Sequence, residues 1–448
     1  MSDLAVRARR LPLVLRNPSF GRVWAGQALG QAASRMFQVG AVWWLVGVAG
    51  GDHRGLDSGL FLMVSSLPAI VLAPVVARLV ARHAHRTVLA TATAVAGVLS
   101  AATAVWARTT ALPVIALYAA GLALAICQAV FDPCLTTSVP ELVEDADIEA
   151  ATAFELSTQS LAGLAGGLLG PLVVDAGGLA GVVAGCAGAY LSAALLIVSA
   201  RFPRAAAGNG PAGEVTPGTG SLRRLLAGLP FVRRVLLCFT AANVFTTAVY
   251  VVMPLYTRGT LHSAGSTAAL LEAALGAGTL VGSFTGGRVP GRPVTVGSGC
   301  LAAMAAALAL PGLCPGHLVA VGSLLVVGWC VGVIGVRFVA LFQRQVPAED
   351  KPGFFAVMQA LLGATFPLAS LLFGALGDHL TAGTLCLVQG AGLLPVTVAL
   401  WRLGGPAEDT EPRRPDRPAR RATPTGDASV RHEVAPPKWM ACTRKEGH

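Results

Sequence analysis

Apolar residues in this chain form runs of about 20 residues, separated by short polar or charged turns. A helix of that length crosses the hydrocarbon core of a bilayer. The pattern therefore predicts an all-α, polytopic membrane protein with twelve transmembrane helices. The predicted spans are residues 22–49, 58–80, 87–107, 112–134, 153–175, 178–200, 232–256, 265–287, 294–312, 317–341, 354–378 and 381–402.

A stretch rich in proline, glycine and arginine divides these spans into two sets of six. A Val-Pro pair closes span 4 at Pro140 and span 10 at Pro347, 207 residues apart, and each is expected to stop a helix. This repeat indicates a duplicated six-helix unit. The predicted regions are an N-terminal half (1–200), a cytoplasmic linker (201–231), a C-terminal half (232–403) and a disordered cytoplasmic tail (404–448).

The composition excludes a soluble protein of this length, because 54% of the residues are apolar and only 12% are charged. Most of the 53 glycines lie inside apolar runs, where small residues let helices approach closely in lipid. The nine cysteines lack the spacing of metal ligands, so we expect no metal site and no disulfide. No catalytic triad, phosphate-binding loop or cofactor motif is evident. The sequence therefore does not predict an enzyme or a cofactor.

Positive charge is distributed unevenly between the two sides of the predicted membrane. With both termini in the cytoplasm, 28 of the 33 lysines and arginines fall on cytoplasmic segments. Three lie on outer loops (Arg54, Arg108 and Arg258) and two lie within spans (Arg35 and Arg337). This asymmetry predicts a multi-pass protein of the cytoplasmic membrane whose basic clusters contact lipid head groups. The same distribution argues against nucleic acid binding as the reason for the net charge of +10.

Polar residues in span 1 recur at helical spacing. Gln27, Gln31, Ser34 and Gln38 share one face, and Arg35 stands beside it. Such a stripe is costly against hydrocarbon. It either lines a central water-filled cavity or makes hydrogen bonds to neighbouring helices.

Glu272 is the most informative acid, because it lies inside the apolar sequence of span 8. Three roles are open: proton coupling or substrate contact, a structural ion pair with Arg35 or Arg337, and a position at the membrane interface. Asp132 near the end of span 4 and Glu155 near the start of span 5 are weaker candidates, which could both lie at the cytoplasmic face.

Other polar residues could line the same cavity among methionine and phenylalanine side chains. They are Gln159, Asn243, Tyr250 and Gln359. Arg337 could join them, or its long side chain could reach the inner surface. Mixed apolar and aromatic walls with few polar groups suit an amphipathic ligand of drug size.

Several short motifs stand at characteristic places in these spans. They are Arg16–Phe20, Trp24–Gln27, Pro140–Val143, Met253–Tyr256, Gly276–Gly278 and Phe373–Asp378. Taken together, they resemble the major facilitator superfamily over residues 16–403. More narrowly, they look like its drug:proton antiporter branch, which includes enterobactin exporters and macrolide efflux pumps. The resemblance implies two six-helix halves that alternate access to a site between them.

The loop between spans 2 and 3 resembles the superfamily's cytoplasmic gate signature, with Leu79, Arg82 and Arg86 at matching positions. The signature's acid is replaced by Ala81. The resemblance implies a weaker cytoplasmic latch, or a charge supplied from elsewhere by Glu141 or Glu349. The acid that the family often carries in span 1 is Ser34 here, which puts proton coupling through that span in doubt.

Span 5 contains Gly166, Gly170 and Pro171, which resemble the first half of the exporter-type helix-5 motif. Small faces and a proline kink would let this helix move against its partner in the other half; ordinary close packing is the alternative.

These features together predict a secondary transporter that works as a monomer. It would export an antibiotic, secondary metabolite or siderophore by alternating access, in exchange for protons. The alternatives are a nutrient importer or facilitator of the same fold, and a membrane sensor that does not transport.

Overall fold

The computed structural model describes residues 13–48, 53–110, 112–143, 147–202, 229–347 and 351–404. In these residues the chain is almost entirely helical, and they contain no strand. Helices α1 to α7 precede the linker and helices α8 to α14 follow it. In order, their bounds are Leu13–Arg16, Pro18–Val48, Arg54–Val71, Ala73–Arg82, His85–Thr109, Val114–Leu142, Ile148–Ser199, Pro230–Thr247, Val249–Gly259, Gly265–Thr285, Pro293–Leu313, His317–Gln345, Lys351–Gly377 and Ala382–Leu403.

The helices agree with the predicted spans and confirm a polytopic all-α fold. Ten helical segments among the described residues are long and apolar enough to cross a membrane. One of them, within α7, covers two predicted spans that are joined at Gly178. Helix α2 is not among the ten, although its 31 residues are ample for a crossing. The polar stripe accounts for this, because it lowers the mean hydropathy of α2.

Two turns differ in their construction. At Gly178 the backbone has φ 64°, a left-handed conformation that favours glycine, and there α7 reverses direction within one residue. At the other turn, α6 ends at Leu142, two residues past Pro140, so the predicted stop is confirmed to within two residues. A proline in the last turn removes only one backbone hydrogen bond, so the helix can run past it. The second pair behaves as predicted, since α12 ends at Gln345 before Val346 and Pro347.

The buried apolar residues form separate clusters before and after the linker. One large cluster joins α8 to α14, and two others lie mainly within α2 to α7. Helix α2 packs along α7, and α10 packs along α12. Between the two sets of helices, α3 contacts α13 and α7 contacts α10. Many large apolar side chains on the outside are exposed, including Leu318 at 88%, as expected of a surface that faces lipid.

The bundle has a first half, α1–α7, and a second half, α8–α14. The linker end of the bundle is where α7 ends at Ser199 and α8 begins at Pro230; the far end is the opposite one. The predicted domain boundaries stay a prediction. The tail after Gly404, the linker segment 203–228 and Glu349 lie outside the described residues.

Candidate functional site

A cavity of about 320 Å³ lies between α2, α3, α6 and α13. Apolar walls, including Phe37 and Phe366, surround its polar groups. Those polar lining groups are Ser34, Gln38, Ser65, Ser66, Gln128 and Asp132. No lysine, arginine or histidine is among the described lining residues. The cavity therefore combines apolar surface with one acidic group, and it is large enough for part of a drug-sized molecule.

The polar stripe of α2 divides between the two roles left open by the sequence. Ser34 and Gln38 line this cavity. Gln27 is buried, and its amide donates to Gln31 Oε1 and to the Glu155 carbonyl, both at 3.3 Å. The stripe thus binds neighbouring helices near the linker end and faces the cavity further along.

Asp132 lies on the cavity wall. Its Oδ1 accepts hydrogen bonds from Gln128 Nε2 at 2.6 Å and from Gln31 Nε2 at 3.5 Å. Gln128 and Asp132 are one helical turn apart, so they share a face of α6. Helix α6 extends ten residues beyond Asp132, and the predicted position at the cytoplasmic face stays a prediction. Asp132 is therefore an acid of the cavity itself, held by two amides.

Glu155 has a different environment. Its side chain is 5% exposed and accepts a hydrogen bond from Thr136 Oγ1 at 2.7 Å. This contact ties α7 to α6. Glu155 does not line the cavity, and its geometry is that of an interhelical hydrogen bond.

Glu272 forms an ion pair with Arg35, with 3.5 Å between Glu272 Oε2 and Arg35 Nη2. The Arg35 guanidinium also lies over the Tyr250 ring, 4.6 Å from its centre. This pair joins α2 of the first half to α10 of the second. Glu272 and Tyr250 line a second, much smaller cavity that is otherwise mainly apolar.

Arg337 is not the partner of Glu272. Its Nε donates to the Gly286 carbonyl at 2.9 Å and so satisfies an acceptor beyond the end of α10. Of the two arginines that the sequence offered, the structure selects Arg35.

The remaining predicted lining residues are scattered. Tyr250 lines the smaller cavity, whereas Asn243 Nδ2 donates to the Leu362 carbonyl and to Thr365 Oγ1 on α13, at 3.1 and 2.5 Å. Gln159 and Gln359 are exposed, and neither is among the described lining residues of the two cavities.

The predicted gate loop makes contacts within the first half. Arg86 donates to the Val198 carbonyl, and Leu79 and Arg82 are exposed. His85 Nδ1 lies 2.8 Å from Glu141 Oε1. Glu141 therefore contacts the loop, which is one of the two substitutes considered for the missing acid at Ala81.

Gly166 and Gly170 face α2 of their own half, where the backbone passes too closely for a side chain. Pro171 faces the other half, because its carbonyl lies against Gly265. The glycine pair therefore packs α7 closely to α2, and Pro171 is the motif residue that contacts the second half.

Two carboxylates at the far end were not predicted from the sequence to be site residues. Asp175 accepts a hydrogen bond from the Gly265 backbone N–H, and Asp378 accepts from that of Gly55 at 2.7 Å. Each joins the two halves. Each acid is the last residue of a predicted span, where a charged residue is ordinary, so only the packing reveals these contacts.

Comparison with known proteins gives a family and a fold. The sequence profile of the Major Facilitator Superfamily matches residues 24–349. No curated protein matches this sequence.

The structure is similar to that of the nucleoside transporter NupG, with a TM-score of 0.67 and 11% identity over 86% of this chain and 98% of that one. It also resembles an auto-inhibited POT family peptide transporter, with a TM-score of 0.67 and 12% identity over 89% and 99%. A bacterial homologue of the iron transporter ferroportin, in an inward-facing state, gives a TM-score of 0.64 and 13% identity over 86% and 98%. At these identities the likeness concerns the fold alone.

Proposed function

This chain belongs to the major facilitator superfamily, and from that premise we propose that it exports a small amphipathic compound from the cytoplasm. The substrate would be an antibiotic, secondary metabolite or siderophore, as in the drug:proton antiporter branch. Transport would proceed by alternating access and use the proton gradient. The observation that supports this proposal is the cavity of about 320 Å³, whose described lining residues are mainly apolar or aromatic and include one carboxylate.

The arrangement of contacts supports alternating access. The cross-half contacts made by Asp175, Asp378 and the Arg35–Glu272 pair lie between the far end and the middle of the bundle. A cavity closed by such contacts on one side can exchange substrate on the other. Reversing the tilt of the two halves would move the opening to the far end.

The charge inside the cavity limits the class of substrate that fits it. Because Asp132 faces it and the described lining residues include no base, an amphipathic cation or neutral molecule fits better than an anion. Two partly exposed charges, Arg35 and Glu272, connect the halves beside it and supply a group that can carry a proton.

The first test is transport in everted membrane vesicles, with ethidium as a cationic probe and Nile red as a neutral one. A proton gradient should drive at least one probe into the vesicles, and vesicles without the protein serve as the control. Gradient-driven movement in the opposite direction would favour a nutrient importer. Silence across a wider panel of amphipathic compounds would favour a membrane sensor.

The orientation of the protein in the membrane can be tested separately from transport. The charge asymmetry predicts that both termini and the linker lie in the cytoplasm. A single cysteine introduced between Ala205 and Gly220, in a full-length chain without native cysteines, should react with an impermeant thiol reagent only after cells are broken. Labelling of that cysteine from outside intact cells would reverse the orientation and the direction of transport with it.

A further inference from the structure

The two far-end carboxylates contact the same kind of partner. Asp175 stands at the far end of the first section of α7 and accepts from the N–H of Gly265, the first residue of α10. Asp378 directly follows α13 and accepts from Gly55 and Leu56 N–H groups in the first turn of α3, at 2.7 and 3.3 Å. In both cases a carboxylate of one half binds the amino-terminal end of a long helix of the other half, where the backbone carries partial positive charge.

The two contacts are related by exchange of the halves. Helix α3 begins span 2 and α10 begins span 8, so each is the second span of its half. Asp175 and Asp378 stand where the fifth span of each half ends. The same exchange relates the two Val-Pro pairs. Each half therefore supplies one carboxylate and one helix end, and the contacts form a reciprocal pair.

The backbones also meet in the same way at both places. A Cβ added to Gly55 would lie 2.5 Å from the Gly374 carbonyl oxygen, and one added to Gly265 would lie 2.5 Å from that of Pro171. Each of these carbonyls precedes its carboxylate by four residues, one helical turn. Only glycine permits this approach, so the helix end can reach the carboxylate.

The two sites differ in their surroundings. Asp175 Oδ1 also accepts from Trp43 Nε1 at 2.8 Å, and Arg258 lies 4.0 Å away with its guanidinium over the Trp43 ring. The Asp378 side chain is 6% exposed and has His53 Nδ1 at 3.4 Å. The Asp175 site therefore has a permanent cation beside it, and the Asp378 site is the more enclosed.

We propose that Asp175 and Asp378 are a matched pair of positioning residues that hold the far end closed. Opening of the far end separates both carboxylates from both helix ends at once, because the halves tilt as units. This inference rests on the proposed alternating-access cycle, but its test reads conformation instead of transport, so failure of the proposed substrate or coupling leaves it intact.

The test measures the reaction rate of one reporter cysteine with a thiol reagent in the purified full-length protein. The background carries alanine at its nine native cysteines. Ser370→Cys is the far-end reporter, since Ser370 is buried and its carbonyl faces Gly59. Ser370 lies about two helical turns before Asp378, on the same side of the interface. Asp175→Ala removes the contact on the other side.

We expect Asp175→Ala to raise the labelling rate of Ser370→Cys about tenfold, Asp378→Ala to do the same, and the double variant to multiply the two effects. Asparagine at either position keeps an acceptor and should give a smaller rise. Asp57→Ala is the matched control, because Asp57 lies in the same first turn of α3 but accepts from Tyr118 of its own half.

A labelling rate that rises in Asp378→Ala but not in Asp175→Ala would show that the two contacts act only locally, and it would overturn the proposal. An unchanged labelling rate in the double variant would also overturn it. Gly265→Ala provides a second route if an aspartate variant fails to fold, because its methyl group separates the same surfaces without altering charge. It should also raise Ser370→Cys labelling, and an unchanged rate there would likewise contradict the proposal.

Discussion

Glu272→Gln is expected to reach the membrane but to lose gradient-driven accumulation of ethidium by about tenfold or more. Glutamine keeps the size of the side chain and cannot take up or release a proton. In the native protein, neutralising Glu272 removes its attraction for Arg35, 3.5 Å away, and so loosens a link between α2 and α10. Exchange of ethidium across the membrane without a gradient should persist, since the cavity of about 320 Å³ is untouched.

Thermal stability separates coupling from a purely structural pair. If the pair only holds the helices together, Glu272→Gln should lower the melting temperature, and adding Arg35→Gln should partly restore it. Asp57→Asn is the matched control, because it neutralises an acid at the far end that accepts from Tyr118. Full gradient-driven transport by Glu272→Gln would exclude the coupling role and leave Asp132 as the next candidate.

Asp132→Asn should weaken ethidium binding about tenfold and leave Nile red binding nearly unchanged. The substitution removes the negative charge of the larger cavity. Its remaining carbonyl oxygen can still accept from Gln128 Nε2, now at 2.6 Å from Asp132 Oδ1, so the local fold should persist. Fluorescence titration of the purified variant measures both affinities under one set of conditions.

This prediction is tested by comparing the losses of affinity for ethidium and for Nile red. Equal losses for ethidium and Nile red would assign Asp132 to the shape of the cavity, and unchanged ethidium binding would contradict an electrostatic role. Asp132→Glu keeps the charge and should retain most of the ethidium affinity. Asp57→Asn should leave both affinities as they are.

Most of the fold could be predicted because membrane helices are defined by run length and apolar content, and both are visible in the sequence. Helix ends were less certain, since they depend on local hydrogen bonding. Helix α6 ends at Leu142, eight residues beyond the predicted end of span 4 at residue 134, and Asp132 lies on the cavity wall.

Site residues could be predicted where their placement depends only on the spacing of residues along one helix. The spacing of Ser34 and Gln38 on α2 correctly placed them on one face, and both line the cavity. The choice between Arg35 and Arg337 as the partner of Glu272 depends on how α2 and α12 pack against α10, which one sequence does not contain. Asp175 and Asp378 required the same kind of information, because their partners are backbone groups of the other half.

The polar stripe of α2 also has a consequence for biogenesis. Helix α2 emerges early from the ribosome, yet it is not among the ten segments that are apolar enough to cross a membrane on their own. Its glutamines and Arg35 find partners on α6, α7 and α10, which are synthesised later. We therefore expect the later helices, which supply these partners, to favour stable insertion of α2.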